Sequence, residues 1–148
     1  MMAASETPVD DAIEHFDDLL RLARAQPERQ RLLLVFAGAE LPDDATAEQR
    51  ARFERGEGGA LAPLMCVDKL PEALDSFDTL LVEAGAMEPP GQPWRLLFAA
   101  ALAGTPRAAP SEQEASRVLD RMVEAVRAGM PGAWLAFDRS GRPVQLSR

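Results

Sequence analysis

The sequence predicts one α/β domain over residues 1–148. It is expected to hold a mostly parallel sheet of four to five strands, helices on the sheet's faces and a C-terminal hairpin. Three observations lead there. Leu32–Ala37, Leu61–Val67 and Trp94–Ala103 are short, nearly unbroken apolar runs, as strands buried on both faces read. Each is followed by Gly, Pro or acidic residues and then by a helical pattern, the alternation of an α/β fold. The linkers between successive strands hold roughly twenty to thirty residues, which fits helical crossovers rather than hairpins. Right-handed crossovers then give parallel neighbours.

The first helix starts with Thr7 as N-cap and Pro8 at its first helical position. Val9, Ile13, Phe16, Leu20 and Ala23 form its apolar stripe, and Pro27 ends it. Strand one covers Leu32–Ala37 and breaks at Gly38. Thr46 and Gln49 resemble a capping box for a short helix reaching about Arg55. The glycine-rich stretch Gly56–Gly59 follows it as a hinge. Strand two contains Pro63, which cannot donate to a ladder, so it belongs at a sheet edge or starts after that residue.

Pro71 opens the next helix, with Leu70, Leu74, Phe77, Leu81 and Ala84 on one face. Pro89, Pro90 and Pro93 make the following loop stiff and non-helical. Strand three runs from Trp94 to about Leu102. Ser111 and Glu114 form a second capping box, and Ala115, Val118, Leu119, Met122, Val123 and Val126 form the inner face of the last helix. Gly129 and Pro131 stop it. Trp134, Leu135 and Phe137 make strand four, and a turn through Gly141 returns the chain by Val144 and Leu146. With strand two on an edge, the expected order is 2-1-3-4-5. The predicted core is Leu33, Val35, Met65, Leu97, Phe98, Leu119, Met122 and Leu135.

Composition narrows the function classes. The 148 residues carry a formal charge of −8, which repels phosphate backbones and anionic lipid, so neither nucleic acid nor a membrane surface is an expected partner. The opening residues are acidic where a signal peptide needs base, and no apolar run is long enough to span a bilayer, so the expected compartment is the cytoplasm. Heavy use of Ala and Arg beside a single Lys matches the coding of a GC-rich bacterial genome.

Chemistry-bearing residues are sparse. Open α/β sheets bind ligands beyond the carboxyl ends of their strands. Those ends supply Glu40, Asp43 and Asp44, then Asp68 and Lys69, then Thr105 and Arg107. Asp68, Lys69 and Arg107 form the candidate ligand site: one carboxylate, the chain's only lysine and one arginine. Cys66 is the only cysteine and lies in an apolar strand, so it reads as a small buried hydrophobe with a raised pKa. His15, the only histidine, shares a helix face with Asp11, but one His without Cys is a poor zinc site and reads as a solvated helix residue. Gly56–Gly59 lacks the Lys and Ser/Thr of a phosphate loop. No catalytic residue, cofactor or metal is therefore expected.

Several segments together resemble a known family. They are Phe16–Arg21, Leu32–Pro42, Glu48–Leu61, Pro63–Lys69 and Phe137–Leu146. They are similar to small proteobacterial proteins commonly named "ribonucleotide reductase subunit alpha". The resemblance covers most of the chain and implies an accessory role in nucleotide reduction. It carries over no catalytic residue: the reductase large subunit needs a thiyl-forming cysteine and a separate redox pair, and this chain has one Cys and no Tyr.

Three functions are thus expected, in order. The first is a non-catalytic protein-interaction or regulatory domain, with a protein partner or as a homodimer. The second is a small-molecule-binding protein or enzyme with its site at the carboxyl edge of the sheet. The third is the accessory role. The apolar closing hairpin calls for cover, either by the first helix of the same chain or by a second subunit.

Overall fold

A computed structural model describes residues 13–41, 43–55, 57–129 and 134–145. In chain order the elements are helix α1 (Phe16–Arg24), strand β1 (Gln30–Glu40), helix α2 (Ala47–Glu54), strand β2 (Ala60–Lys69), a 3₁₀ turn (Pro71–Ala73), helix α3 (Phe77–Met87), strand β3 (Leu96–Ala103), helix α4 (Glu112–Arg127) and the strands β4 (Leu135–Phe137) and β5 (Pro143–Val144). The five strands form one sheet in the order β2-β1-β3-β4-β5.

The strand order agrees with the sequence, but the strand directions do not. Every neighbouring pair is antiparallel, so the expected mostly parallel sheet is corrected to a wholly antiparallel one. Two features of the sequence concealed this. The sheet is covered by helices on both faces, so its strands read as continuous apolar runs whatever their direction. A linker long enough for a helix also does not force a parallel neighbour. β1 and β2 are antiparallel neighbours although α2 lies between them, as are β3 and β4 although α4 does. Only the β2–α3–β3 unit joins two strands of like direction, and it steps across β1 to do so.

Period-two alternation divides the strands between two cores. Leu32, Leu34 and Phe36 of β1, Leu97 and Ala99 of β3 and Phe137 of β4 meet α1 and α3 on one face. Leu33, Val35 and Ala37, with Phe98 and Ala136, meet Ala115, Leu119, Met122 and Val126 of α4 on the other. Six of the eight predicted core residues are buried, five of them with no exposed surface; Met65 and Leu135 are half-buried against the α1–α3 face.

Several local expectations shift. The first helix starts at Phe16, because the His15 imidazole caps it: Nδ1 accepts the Asp17 N–H at 3.0 Å. His15 is therefore a half-buried cap rather than a solvated helix residue, and its ring meets Phe77 edge-on at 5.6 Å. Ile13 is buried ahead of the helix, and the expected cap Thr7, with Pro8 and Val9, lies outside the described residues.

The helix expected from Pro71 is split. A 3₁₀ turn ends at Ala73, and α3 restarts at Phe77. Ser76 Oγ accepts the Thr79 N–H, and Asp17 of α1 accepts the Phe77 N–H at 2.8 Å, so two orphan amides of α3 find partners. The Arg24 guanidinium donates to the carbonyls of Pro71, Leu74 and Asp75 and holds the break. The buried face of α3 accordingly runs through Phe77, Leu80 and Ala84.

Both capping boxes form as read, Thr46 with Gln49 and Ser111 with Glu114. The closing turn also forms as read, with Gly141 at φ +85°. A side chain there would be strained, and its Cβ would stand 2.5 Å from His15 Nε2. The closing hairpin is covered from within the chain. Phe16 N–H donates to the Gly141 carbonyl at 2.7 Å, and its ring packs on Phe137 at 5.3 Å.

Candidate interaction surface

The edge expected from Pro63 is real: β2 is the outermost strand on its side. Its inner edge pairs with β1 from Leu32–Lys69 to Glu40–Ala60, with a bulge that leaves Leu64 without an opposite residue. Its outer edge has no strand partner among the described residues. The other end of the sheet is guarded by shortness, since β5 spans only two residues. Leu61–Val67 is an unbroken apolar run, yet no residue of β2 is fully buried. A long, apolar, unpaired edge of this kind is a template for another strand.

The usual charged guards of an edge are absent here. Asp68 is bound by Arg31 of β1 at 2.7 Å, and Arg31 Nε also donates to the Pro110 carbonyl ahead of α4. Lys69 Nζ is bound by Glu83 of α3 at 2.5 Å. Both end charges of β2 therefore fasten the strand to its own sheet and helices, and Ala60–Val67 carries none.

Cys66 is exposed, not the buried residue expected from an apolar strand. It lies opposite Val35, on the α4 side of the sheet. Its pKa is nevertheless raised, as expected: partial desolvation acts first, and the carboxylates of Asp120 and Asp68 add to it.

The remaining expected site residues separate. An antiparallel sheet has no single carboxyl edge. Glu40, Asp43 and Asp44 follow the end of β1 that pairs with the start of β2, while Asp68, Lys69, Thr105 and Arg107 lie toward the opposite end. Within the trio, Asp68 and Lys69 are consecutive in a strand and face opposite sides. Arg107 is exposed in the turn after β3, where its N–H donates to Thr105 Oγ1 at 3.3 Å. The structure does not bring the three onto one face.

A hollow that the sequence did not reveal lies at the other end, beneath α2. It is an open depression of about 590 Å³ lined by Glu40, Leu41, Phe53, Leu61–Leu64, Gln92 and Arg127, so its wall is the first half of β2. A smaller recess of about 230 Å³ continues past Phe53 to Pro93 and Arg95. The Arg95 guanidinium lies 5.7 Å from the centre of the Phe53 ring, a cation–π distance. Phe53 sits against Gly59, whose φ of +89° and 2.9 Å approach leave no room for a side chain. The glycine stretch and the proline-rich loop were legible, but nothing in one dimension said that they meet.

Among the described residues no group of three or more His, Cys, Asp or Glu is placed to hold a metal, and no helix is long and apolar enough to cross a membrane. Compared with known proteins, the chain matches no family model, no curated protein and no solved structure. These comparisons neither carry nor oppose the resemblance noted in the sequence.

Proposed function

We propose that this chain acts by binding another polypeptide along the outer edge of β2. The observation that carries the reading is a ten-residue strand, paired on one edge only among the described residues, whose terminal charges are taken up inside the molecule. Strand addition needs just such an edge: main-chain N–H and C=O groups supply affinity, and alternate side chains supply choice of partner. The hollow at the start of β2, lined by Phe53, Leu61 and Leu64 together with Glu40, Gln92 and Arg127, offers a seat of mixed polarity for a side chain of the incoming segment.

Photo-crosslinking tests this. A benzoylphenylalanine in place of exposed Asp120, on α4 beside Cys66, is expected to give one discrete adduct in the cells that make the protein. Adding Cys66→Lys, a charge on the edge, is expected to abolish it. No adduct, or an adduct indifferent to Cys66→Lys, overturns the reading.

A second reading takes support from the hollow itself. Glu40, Gln92 and Arg127 share the lining with Phe53, Leu61 and Leu64, a mix of polar and apolar groups that suits a small molecule. It keeps the idea of a ligand at a strand's carboxyl end, moved from Asp68, Lys69 and Arg107 to the end of β1. A thermal-shift screen of small anionic and zwitterionic metabolites would favour it through a hit lost in Arg127→Ala.

A further inference from the structure

We infer that the segment added to β2 is β2 of a second copy, related by a two-fold axis, so that two sheets join into one of ten strands. This rests on the reading of β2 as the binding edge and adds the identity of the partner.

Charge argues for it first. Each chain carries −8, so two copies repel over most of their surfaces. Ala60–Val67 is uncharged, and Asp68 and Lys69 are neutralised by Arg31 and Glu83 of the same chain. The strand itself therefore adds no charge to that repulsion, and Asp120 of α4, beside Cys66, is the carboxylate that flanks it. A foreign strand would need no such neutrality and would be better selected by an edge charge.

Symmetry argues second. A two-fold axis perpendicular to the sheet pairs a strand with itself in antiparallel fashion, and the same patch serves both partners. β2 is apolar on both faces through Leu61–Val67, so each copy continues the other's two cores.

The test uses the full chain. Light scattering over a concentration series is expected to show a monomer–dimer equilibrium. Isotope-filtered NOE spectroscopy on mixed labelled and unlabelled chains is expected to show intermolecular contacts between α-protons within Ala60–Lys69. Cys66→Lys adds a like charge to each copy within the paired strip and is expected to weaken association roughly tenfold or more, while Cys66→Ser leaves it unchanged. A monomer at every concentration, or a dimer whose intermolecular contacts lie outside β2, overturns the inference. The crosslinking experiment separates the two levels. An adduct with a different protein, lost in Cys66→Lys, sinks the second copy and keeps the binding edge; no edge-dependent adduct together with a monomer sinks both.

Discussion

Leu97 has no exposed surface and sits between Phe36 of β1 and Phe137 of β4. Cutting it to Ala removes three carbons from a packed layer and leaves a cavity, at an expected cost of about 2–5 kcal/mol. A urea titration will measure it; a loss well under ~1 kcal/mol would mean that strand three packs less tightly than described. Cys66 offers a different kind of test. It is exposed, but partial desolvation and the nearby Asp120 and Asp68 disfavour its thiolate. Iodoacetamide is therefore expected to label the native chain at neutral pH more slowly than the unfolded chain, and Asp120→Asn is expected to speed native labelling. Asp138 is the acid-sensitive point of the closing turn. Ser140 Oγ donates to its carboxylate at 2.6 Å, and the N–H groups of Ser140 and Arg142 donate as well, so its pKa is held below the usual aspartate value. The folded state thus binds the proton less readily than the unfolded state. The stabilisation is present above the ordinary carboxylate range and is lost as pH falls through the depressed value. Asp138→Ala is expected to remove most of the turn's share of that acid sensitivity, read as a flatter dependence of Tm on pH.

Two helices with the same cap sequence logic are expected to respond differently to losing it. α2 buries no residue, so Thr46→Ala should raise amide exchange across Ala47–Glu54 and leave global stability nearly unchanged. α4 covers one whole face of the sheet, so Ser111→Ala should lower global stability by about 1 kcal/mol. Hydrogen exchange and urea unfolding of the two variants distinguish these outcomes. Elements of this kind were the legible part of the chain. Ser111 with Glu114, Thr46 with Gln49, Pro63 at an edge and Gly141 in a turn are local devices whose chemistry acts within a few residues. Strand direction is not local. Leu32–Ala37 would carry the same side chains in a parallel or an antiparallel ladder, and burial on both faces erases the alternation that separates the two. The caps at His15 and Ser76 were hidden for a related reason: His seldom caps a helix, and Ser76 shares its task with Asp17 from sixty residues away.

For the whole molecule the same division holds for the site. The uncharged edge of β2 could be anticipated from Pro63 and the apolar run around it. The trio Asp68, Lys69 and Arg107 rests on a parallel sheet's carboxyl edge, a premise that the antiparallel ladders remove. The hollow beneath α2 forms only where β1, α2, β2, the loop through Gly91 and Gln92, and the end of α4 meet, which no spacing rule reports. Self-association through β2 carries one more expectation at this scale. Repulsion between two chains of −8 is long-ranged and screened by salt, whereas pairing of an uncharged strand is not. Dimerisation is therefore expected to strengthen between about 20 mM and about 300 mM salt, where the screening length falls severalfold. Light scattering at both salt concentrations checks this; weakening with salt would point to an interface held by ion pairs instead.

The central position of β1 has a consequence for how the chain is made. β1 leaves the ribosome before either of its neighbours, which are encoded downstream: β2 through Lys69, and β3 only through Ala103. From Glu40 onward, roughly sixty residues must be added before both edges of the most apolar strand are closed, about 3–13 seconds at ~5–20 residues per second. α4, which seals one face, comes later still. Throughout that interval at least one edge of Leu32–Ala37 is open to any neighbouring nascent chain. Ribosome-bound chains arrested before Leu96 are expected to be held by chaperones or to aggregate on release. Chains arrested after the last strand are expected to be released folded. Synthesis of this protein is thus exposed to a hazard that its finished sheet no longer displays.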